Sequence, residues 1–182
     1  MAYDSVNKKV IMFGGHWKAA SGTAGYDNQV WVYDIGENTW ALRNTSPKPL
    51  ARYTHYMAYD PVNGKVVIFG GHDSSDSVVN DMWTYDYDEN KWLEIASAVR
   101  PSDRHAGWMT YNSKAQSIIL YGGGDDSTRS LSDTWVLKLS GYVWERAAEG
   151  SSTPNQQGIP GYPLEAVITG LVIIIFLFRR IV

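Results

Sequence analysis

The feature that most constrains this chain is a recurrence. Trp31, Trp83 and Trp135 stand 52 residues apart, and so do Trp40, Trp92 and Trp144. Ahead of each pair lies an apolar run that ends in two glycines: Val10–Phe13 before Gly14-Gly15, Val66–Phe69 before Gly70-Gly71, and Ile118–Tyr121 before Gly122-Gly123. A fixed period of about 50 residues, with several strand signals in each unit, marks a repeat architecture in which each unit buries its apolar face against the next.

The middle unit carries the full pattern. An alternating aromatic stretch at about Tyr53–Tyr59 predicts a first strand, and Asn63-Gly64 is a strong hairpin signal. Lys65–Phe69 predicts a second strand buried on both faces, Asp81–Tyr85 a third and Lys91–Ile95 a fourth. The glycine pair suits a place where a buried strand ends beside its neighbours, because a residue without Cβ tolerates positive φ and close backbone approach. The tryptophans are expected to fill the wedges between units. In the first unit the stretch after the glycines is four residues longer, which predicts a surface loop insertion over His16–Asn28.

A hydrophobic strand ending in a Gly pair, followed by a Tyr and a Trp seven positions apart, resembles the kelch motif. Tyr33 and Trp40 fit it, as do Tyr85 and Trp92; in the third unit Leu137 replaces the Tyr and Trp144 remains. The resemblance implies four-stranded blades of a β-propeller. The expected fold is therefore all-β, a partial kelch-type propeller of about three blades over residues 1–50, 51–100 and 101–148. Met1 aligns with Met57 and Met109, so the first blade is expected to lack half of its opening strand. Propellers close with roughly four to eight blades. Either missing upstream blades or self-association is expected to complete the ring.

After residue 148 the composition changes. Residues 149–162 read as a polar, Ser/Gly/Pro/Gln-rich linker ending in Pro160-Gly161-Tyr162, and residues 163–182 as one transmembrane α-helix with a basic end at Arg179-Arg180. Pro163 suits a helix start. The order of a short Pro-Gly motif, an apolar segment and a basic pair is similar to archaeal and other prokaryotic C-terminal sorting signals. Positive charge after the helix favours the cytoplasmic side, which places the blades outside the cytoplasm. The alternative is a tail-anchored protein with cytoplasmic blades.

Composition narrows the functions. The net charge of −3 gives no basic footprint, so nucleic acid is not an expected partner. There is no cysteine. Kelch relatives that are copper-radical oxidases use a Cys–Tyr cross-link, which this chain cannot form. No cofactor or metal is expected: His16 and His72 both follow a Gly pair, but the third unit has Gly124 there. The loop candidates for binding are His16, Trp17, His72, Asp73, Asp76, Asp125 and Asp126, with the acidic ones expected in solvated loops. Arg52, His55, Arg104 and His105 lie in the first-strand region, where a structural hydrogen-bonding role is expected. The function expected is a binding module that recognises a protein or glycan through its loops. The competing class is a sugar-modifying, isomerase-like enzyme with its site over the propeller channel.

Overall fold

The computed structural model describes residues 1–148 apart from Asp76, Thr128 and Arg129. The linker and transmembrane helix expected over 149–182 lie outside the described residues, as does the candidate Asp76.

The first blade is the sheet β1 (Ala2–Asp4), β2 (Lys9–Lys18), β3 (Ala24–Asp34) and β4 (Thr39–Arg43), paired in sequence order. A short β5 (Arg52–Tyr53) precedes the second blade, which consists of β6 (Tyr56–Asp60), β7 (Lys65–Phe69), β9 (Met82–Asp86) and β10 (Lys91–Glu94). The third blade is β11 (Trp108–Asn112), β12 (Ser117–Gly124), β13 (Ser130–Lys138) and β14 (Val143–Arg146). Every pairing in the blades is antiparallel, and the described residues contain no helix, so the described part is all-β.

Two expectations are corrected. The first strand of the middle unit is not continuous. Thr54 takes φ of 51° and breaks it, so that β5 leaves the blade and pairs with β8 (His72–Asp73). The insertion over His16–Asn28 is mostly ribbon rather than loop. The added residues extend the β2–β3 ladder as far as Lys18↔Ala24, where Ala19 N–H bonds to Thr23 O.

The turns follow from short polar side chains. The Asp4 carboxylate accepts the N–H groups of Val6 and Asn7, and that of Asp60 accepts those of Val62 and Asn63. Asn112 does the same for Lys114 and Ala115. Each replaces backbone bonds that a tight turn leaves unmade. Gly64 closes the second turn at φ of 67°, while Lys8 and Gln116 take that conformation in the other blades.

The core lies in two seams between blades. In the first, Ile11, Phe13 and Val30 meet Tyr59, Val66, Tyr85 and Trp92 of the next blade. In the second, Tyr56, Val67, Phe69 and Met82 meet Ile118, Leu120, Leu137 and Trp144. Trp92 lies against Phe13 at 4.8 Å and Trp144 against Phe69 at 5.3 Å, each tryptophan packing on the preceding blade. Leu137 is fully buried opposite Trp144, so the third unit loses the motif's tyrosine but keeps its packing. The second strand of the middle blade is buried on both faces, from Val66 to Phe69.

The glycine pairs let the blades approach. A Cβ on Gly14 would lie 2.6 Å from Arg52 O, and one on Gly70 would lie 2.5 Å from Arg104 O, both at φ near +62°. No other residue fits there without moving a backbone.

Candidate functional site

The second and third units each carry the same buried polar arrangement at one rim. Arg52 is buried and grips Asp81 with two bonds of 2.6 and 2.8 Å, while its Nη1 also donates to Gly70 O. Arg104 does the same with Asp133 at 2.7 and 3.0 Å, and donates to Gly122 O. An indole completes each unit: Trp83 donates to Asp81 and Trp135 to Asp133, both at 2.7 Å. The Arg104 guanidinium holds the Asp133 carboxyl below the usual range, outweighing the opposing effect of burial. In the first blade Gln29 stands at this place and accepts Trp31 Nε1 at 3.1 Å, a neutral version of the same contact. These buried, bidentate pairs are structural.

Over these units runs a line of aromatic rings. Register places His16 opposite Tyr26 in the β2–β3 ribbon, and Tyr53 opposite His72 in the β5–β8 pair. His105 is bridged to Gly124 by two backbone bonds of 2.9 Å. The rings then meet in sequence. His16 and Tyr26 both touch Tyr53, at 5.7 and 5.2 Å, and the two tyrosines are stacked with 10° between their planes. Tyr53 touches His72 at 5.2 Å, and His72 meets His105 edge-on at 6.0 Å. The row therefore crosses both seams and draws rings from all three repeat units.

His55 lies between the glycine pairs, with its Cα and Cβ against Gly71 and its ring edge-on to Phe13. Burial, with the nearby positive charge of Arg52 adding, lowers its pKa to about 3, so it is neutral near pH 7. Tyr56 OH donates to Gly122 O at 2.8 Å across the second seam, and burial raises its pKa to about 12.

The candidates from sequence divide. His16 and His72 share the row, joined through Tyr53. Trp17 does not: alternation along β2 turns it to the other side of the ribbon, over Gly25, where it is 48% exposed. Asp73 is buried rather than solvated, because it caps its own loop by accepting Ser75 Oγ and the N–H groups of Ser75 and Ser77. Burial pushes its carboxyl up, but those bonds outweigh it and leave the pKa lowered. Asp126 accepts Val78 N–H, and Asp125 caps the loop at Ser127. Tyr26 and Tyr53 do not stand out in the sequence, and His105, expected to be structural, joins them in the row. The available signal was positional: Tyr53 and His105 each follow a seam arginine, 52 residues apart.

A concavity of about 390 Å³ lies between the first strands of the blades and is lined by residues including Tyr3, Met57, Tyr59, Met109 and Tyr111. Its lining contains no carboxylate, imidazole or guanidinium. Among the described residues, no three His, Asp or Glu side chains converge as metal ligands.

Against known proteins, the sequence model described as the KLHDC2/KLHL20/DRC7 Kelch-repeats domain matches residues 1–177. Acyl-CoA-binding domain-containing protein 4 of Arabidopsis thaliana is 32% identical over 82% of this chain, which spans 21% of that protein. The flagellar outer-arm dynein alpha chain of Chlamydomonas reinhardtii is 25% identical over 90% of the chain and 4% of its own length. Dynein regulatory complex subunit 7 of the same alga is 27% identical over 65% of the chain and 10% of that protein. The chain thus spans less than a quarter of the length of each of these three relatives.

Proposed function

From the premise that this chain belongs to the KLHDC2/KLHL20/DRC7 kelch-repeat family, we propose that it is a protein-recognition module that binds its partner at the rim carrying the ring row. The observation that carries this reading is the continuity of the row: rings from all three repeat units meet over the two seams. A rigid scaffold that brings residues from several units to one edge is well suited to recognition. Two of the relatives are named as a chain of the flagellar outer-arm dynein and a subunit of a dynein regulatory complex, which supports binding over catalysis. The concavity between the first strands, where an isomerase-like site would sit, is lined by tyrosines and offers no carboxylate or imidazole.

The test is partner capture by the full chain, with cross-linking mapped to residues. Exchange of His16 and Tyr26 for alanine abolishes the captured partner if the rim recognises it, whereas Trp40→Ala leaves it bound. Turnover in a panel of sugars would favour the enzyme reading, and glycan binding that depends on the same rings would replace the protein partner with a carbohydrate.

For location, we propose that the apolar stretch 163–182 anchors the module to a membrane, with the blades on the non-cytoplasmic side and further blades or a second copy completing the ring. The uninterrupted apolar run from Leu171 to Phe178, followed by Arg179-Arg180, supports this. One observation favours a second reading: the family match continues through residue 177, so the stretch can belong to the repeat series instead. Vesicle flotation separates the two. The full chain floats and Ile174→Lys reduces flotation if the stretch is an anchor; a full chain that stays in the soluble fraction favours the repeat.

A further inference from the structure

The outer faces of the first and third blades are, taken together, the two halves of a seam. In the first seam Tyr59, Val66, Ile68, Tyr85 and Trp92 of the second blade are buried against Ala2, Ile11, Phe13, Val30 and Val32 of the first. The outer face of the first blade repeats the covered half at the same motif positions, as Tyr3, Val10, Met12, Tyr33 and Trp40, and only Met12 differs. Register agrees: Tyr3 pairs with Val10 as Tyr59 does with Val66, and Tyr33 with Trp40 as Tyr85 does with Trp92. Tyr3 and Trp40 are nonetheless half-exposed.

The outer face of the third blade repeats the covering half. Thr110, Ile119, Tyr121, Thr134 and Val136 stand where Ala2, Ile11, Phe13, Val30 and Val32 stand in the first blade. Ile119 and Val136 are unchanged, Thr134 has the shape of Val30 with a hydroxyl for a methyl, and Tyr121 is Phe13 with a hydroxyl added. A seam accepts such a group, because Thr84, on the Met82 face of β9, is buried. The ion pair of Lys138 with Glu145 lies at the margin. Glu145 pairs with Val136 as Leu93 does with Thr84 and Ala41 with Val32, and those two positions stay exposed in the built seams.

Each chain thus carries both halves of a head-to-tail contact, which closes into a ring when the rotation allows. Two copies of the three described blades make six, inside the roughly four to eight with which propellers close. Deepening the reading that further blades or a second copy complete the ring, we propose that the third blade of one copy packs on the first blade of a second copy. Tyr121 then lies on Trp40 as Phe13 lies on Trp92 and Phe69 on Trp144, and two chains close one six-bladed ring. The added hydroxyls cost more to withdraw from water than the groups they replace. This seam is therefore weaker than the built ones, and the chains part on dilution.

The test uses the full chain in mild detergent, with its mass read by sedimentation over a wide range of protein concentration. The chain dimerises as concentration rises. Trp40→Glu and Tyr121→Lys each weaken the dimer by about ten-fold or more, and mixing the two variants restores it, because the mixed pair keeps one interface with both native halves. Thr134→Val tightens it about five-fold. Single cysteines report the pairing in a chain that has none. Asn90 Nδ2 donates to Asn44 O at 2.9 Å at the margin of the first seam, and Asn38 and Ala148 hold those places on the outer faces. A short bismaleimide joins Asn38→Cys in one copy to Ala148→Cys in another, and does not join Asn38→Cys copies to each other. Urea midpoints of the dilute variants separate loss of association from loss of fold.

A dimer that survives both Trp40→Glu and Tyr121→Lys associates elsewhere, and one that joins Asn38→Cys copies to each other pairs first blade with first blade; either overturns the proposal. A chain that stays single at every concentration overturns it too, and acrylamide quenching of Trp40, read against Trp40→Phe, then decides the reading beneath it. A shielded Trp40 means that residues 149–182 of the same chain cover the face, so the second copy falls and completion of the ring stands. A bare Trp40 in a soluble single chain means that the three blades stand open, and both fall.

Discussion

Trp92 and Trp40 occupy the same place in their units and have different fates. Each lies opposite its motif tyrosine in register, Tyr85 and Tyr33, with ring centroids 5.0 and 5.1 Å apart. Each tyrosine hydroxyl donates to the asparagine that closes the turn, Asn90 or Asn38. Yet Trp92 is 5% exposed and Trp40 is 48% exposed. The difference is Phe13, which lies against Trp92 from the preceding blade. The motif builds the blade, and a neighbouring blade buries it.

The other outer face sharpens the contrast. Tyr56 and Phe69 are buried in the second seam, whereas their counterparts in the third blade, Trp108 and Tyr121, are 79% and 49% exposed. Thr110 and Thr134 stand where Ala58 and Met82 stand in the middle blade. The first blade's outer face thus keeps a tryptophan of the kind the seams bury, while the third blade's outer face is partly hydroxylated.

The largest expected effect falls on the seam. Trp92→Ala lowers the stability of the full chain in urea by about 4 kcal/mol, while Trp40→Ala costs less than ~1 kcal/mol. Equal losses would mean that Trp40 is also buried by a neighbour in solution. Next, Arg104→Ala strands Asp133 beneath the rim and costs about 3 to 4 kcal/mol, against under ~1 kcal/mol for Gln29→Ala, where no charge is left behind. Similar costs would show that the indole contact, not the ion pair, holds the rim.

His55 gives the seam a pH dependence. Its folded pKa is lowered to about 3 from the usual imidazole value of 6.5, so the unfolded chain takes up the proton first as pH falls. The stability from keeping it neutral is complete above about pH 6.5 and is lost progressively toward pH 3, by ~3 kcal/mol at pH 4. The lowered pKa of Asp133 acts in the same sense at the acid end of this window. His55→Gln flattens the urea midpoint between pH 7 and pH 4; an unchanged slope would remove His55 as its source. The smallest effect compares glycines. Gly70→Ala, at a backbone oxygen 2.5 Å away, costs at least ~2 kcal/mol, whereas Gly141→Ala, with open space around it but φ of +86°, costs about 1 kcal/mol.

Much of the blade was legible in sequence because its signals are local. The apolar runs, the Asp- and Asn-led turns and the glycine pairs each act within a few residues. The break at Thr54 was not legible: the alternation from Tyr53 to Tyr59 is what a continuous strand would show, and only pairing with β8 draws Arg52 and Tyr53 away. The added residues after Gly15 read as a loop because their Gly, Ala and Ser content carries little strand preference, but cross-strand bonding needs only backbone. The site was half legible. His16 and His72 stood out after the glycines, but Tyr26, Tyr53 and His105 come from other strands and join the row only when blades meet.

The sequence by itself determined that this chain makes kelch-type blades, how many repeat units it reads as, and which residues each blade turns inward, because period, alternation and turn chemistry are properties of neighbouring residues. The tertiary structure decided which tryptophans are covered, which carboxylates are buried and which rings form a continuous edge. Those depend on contacts between residues about 20 to 80 positions apart, such as Tyr53 with His72 and Tyr142 with Asp60, and no local pattern encodes them.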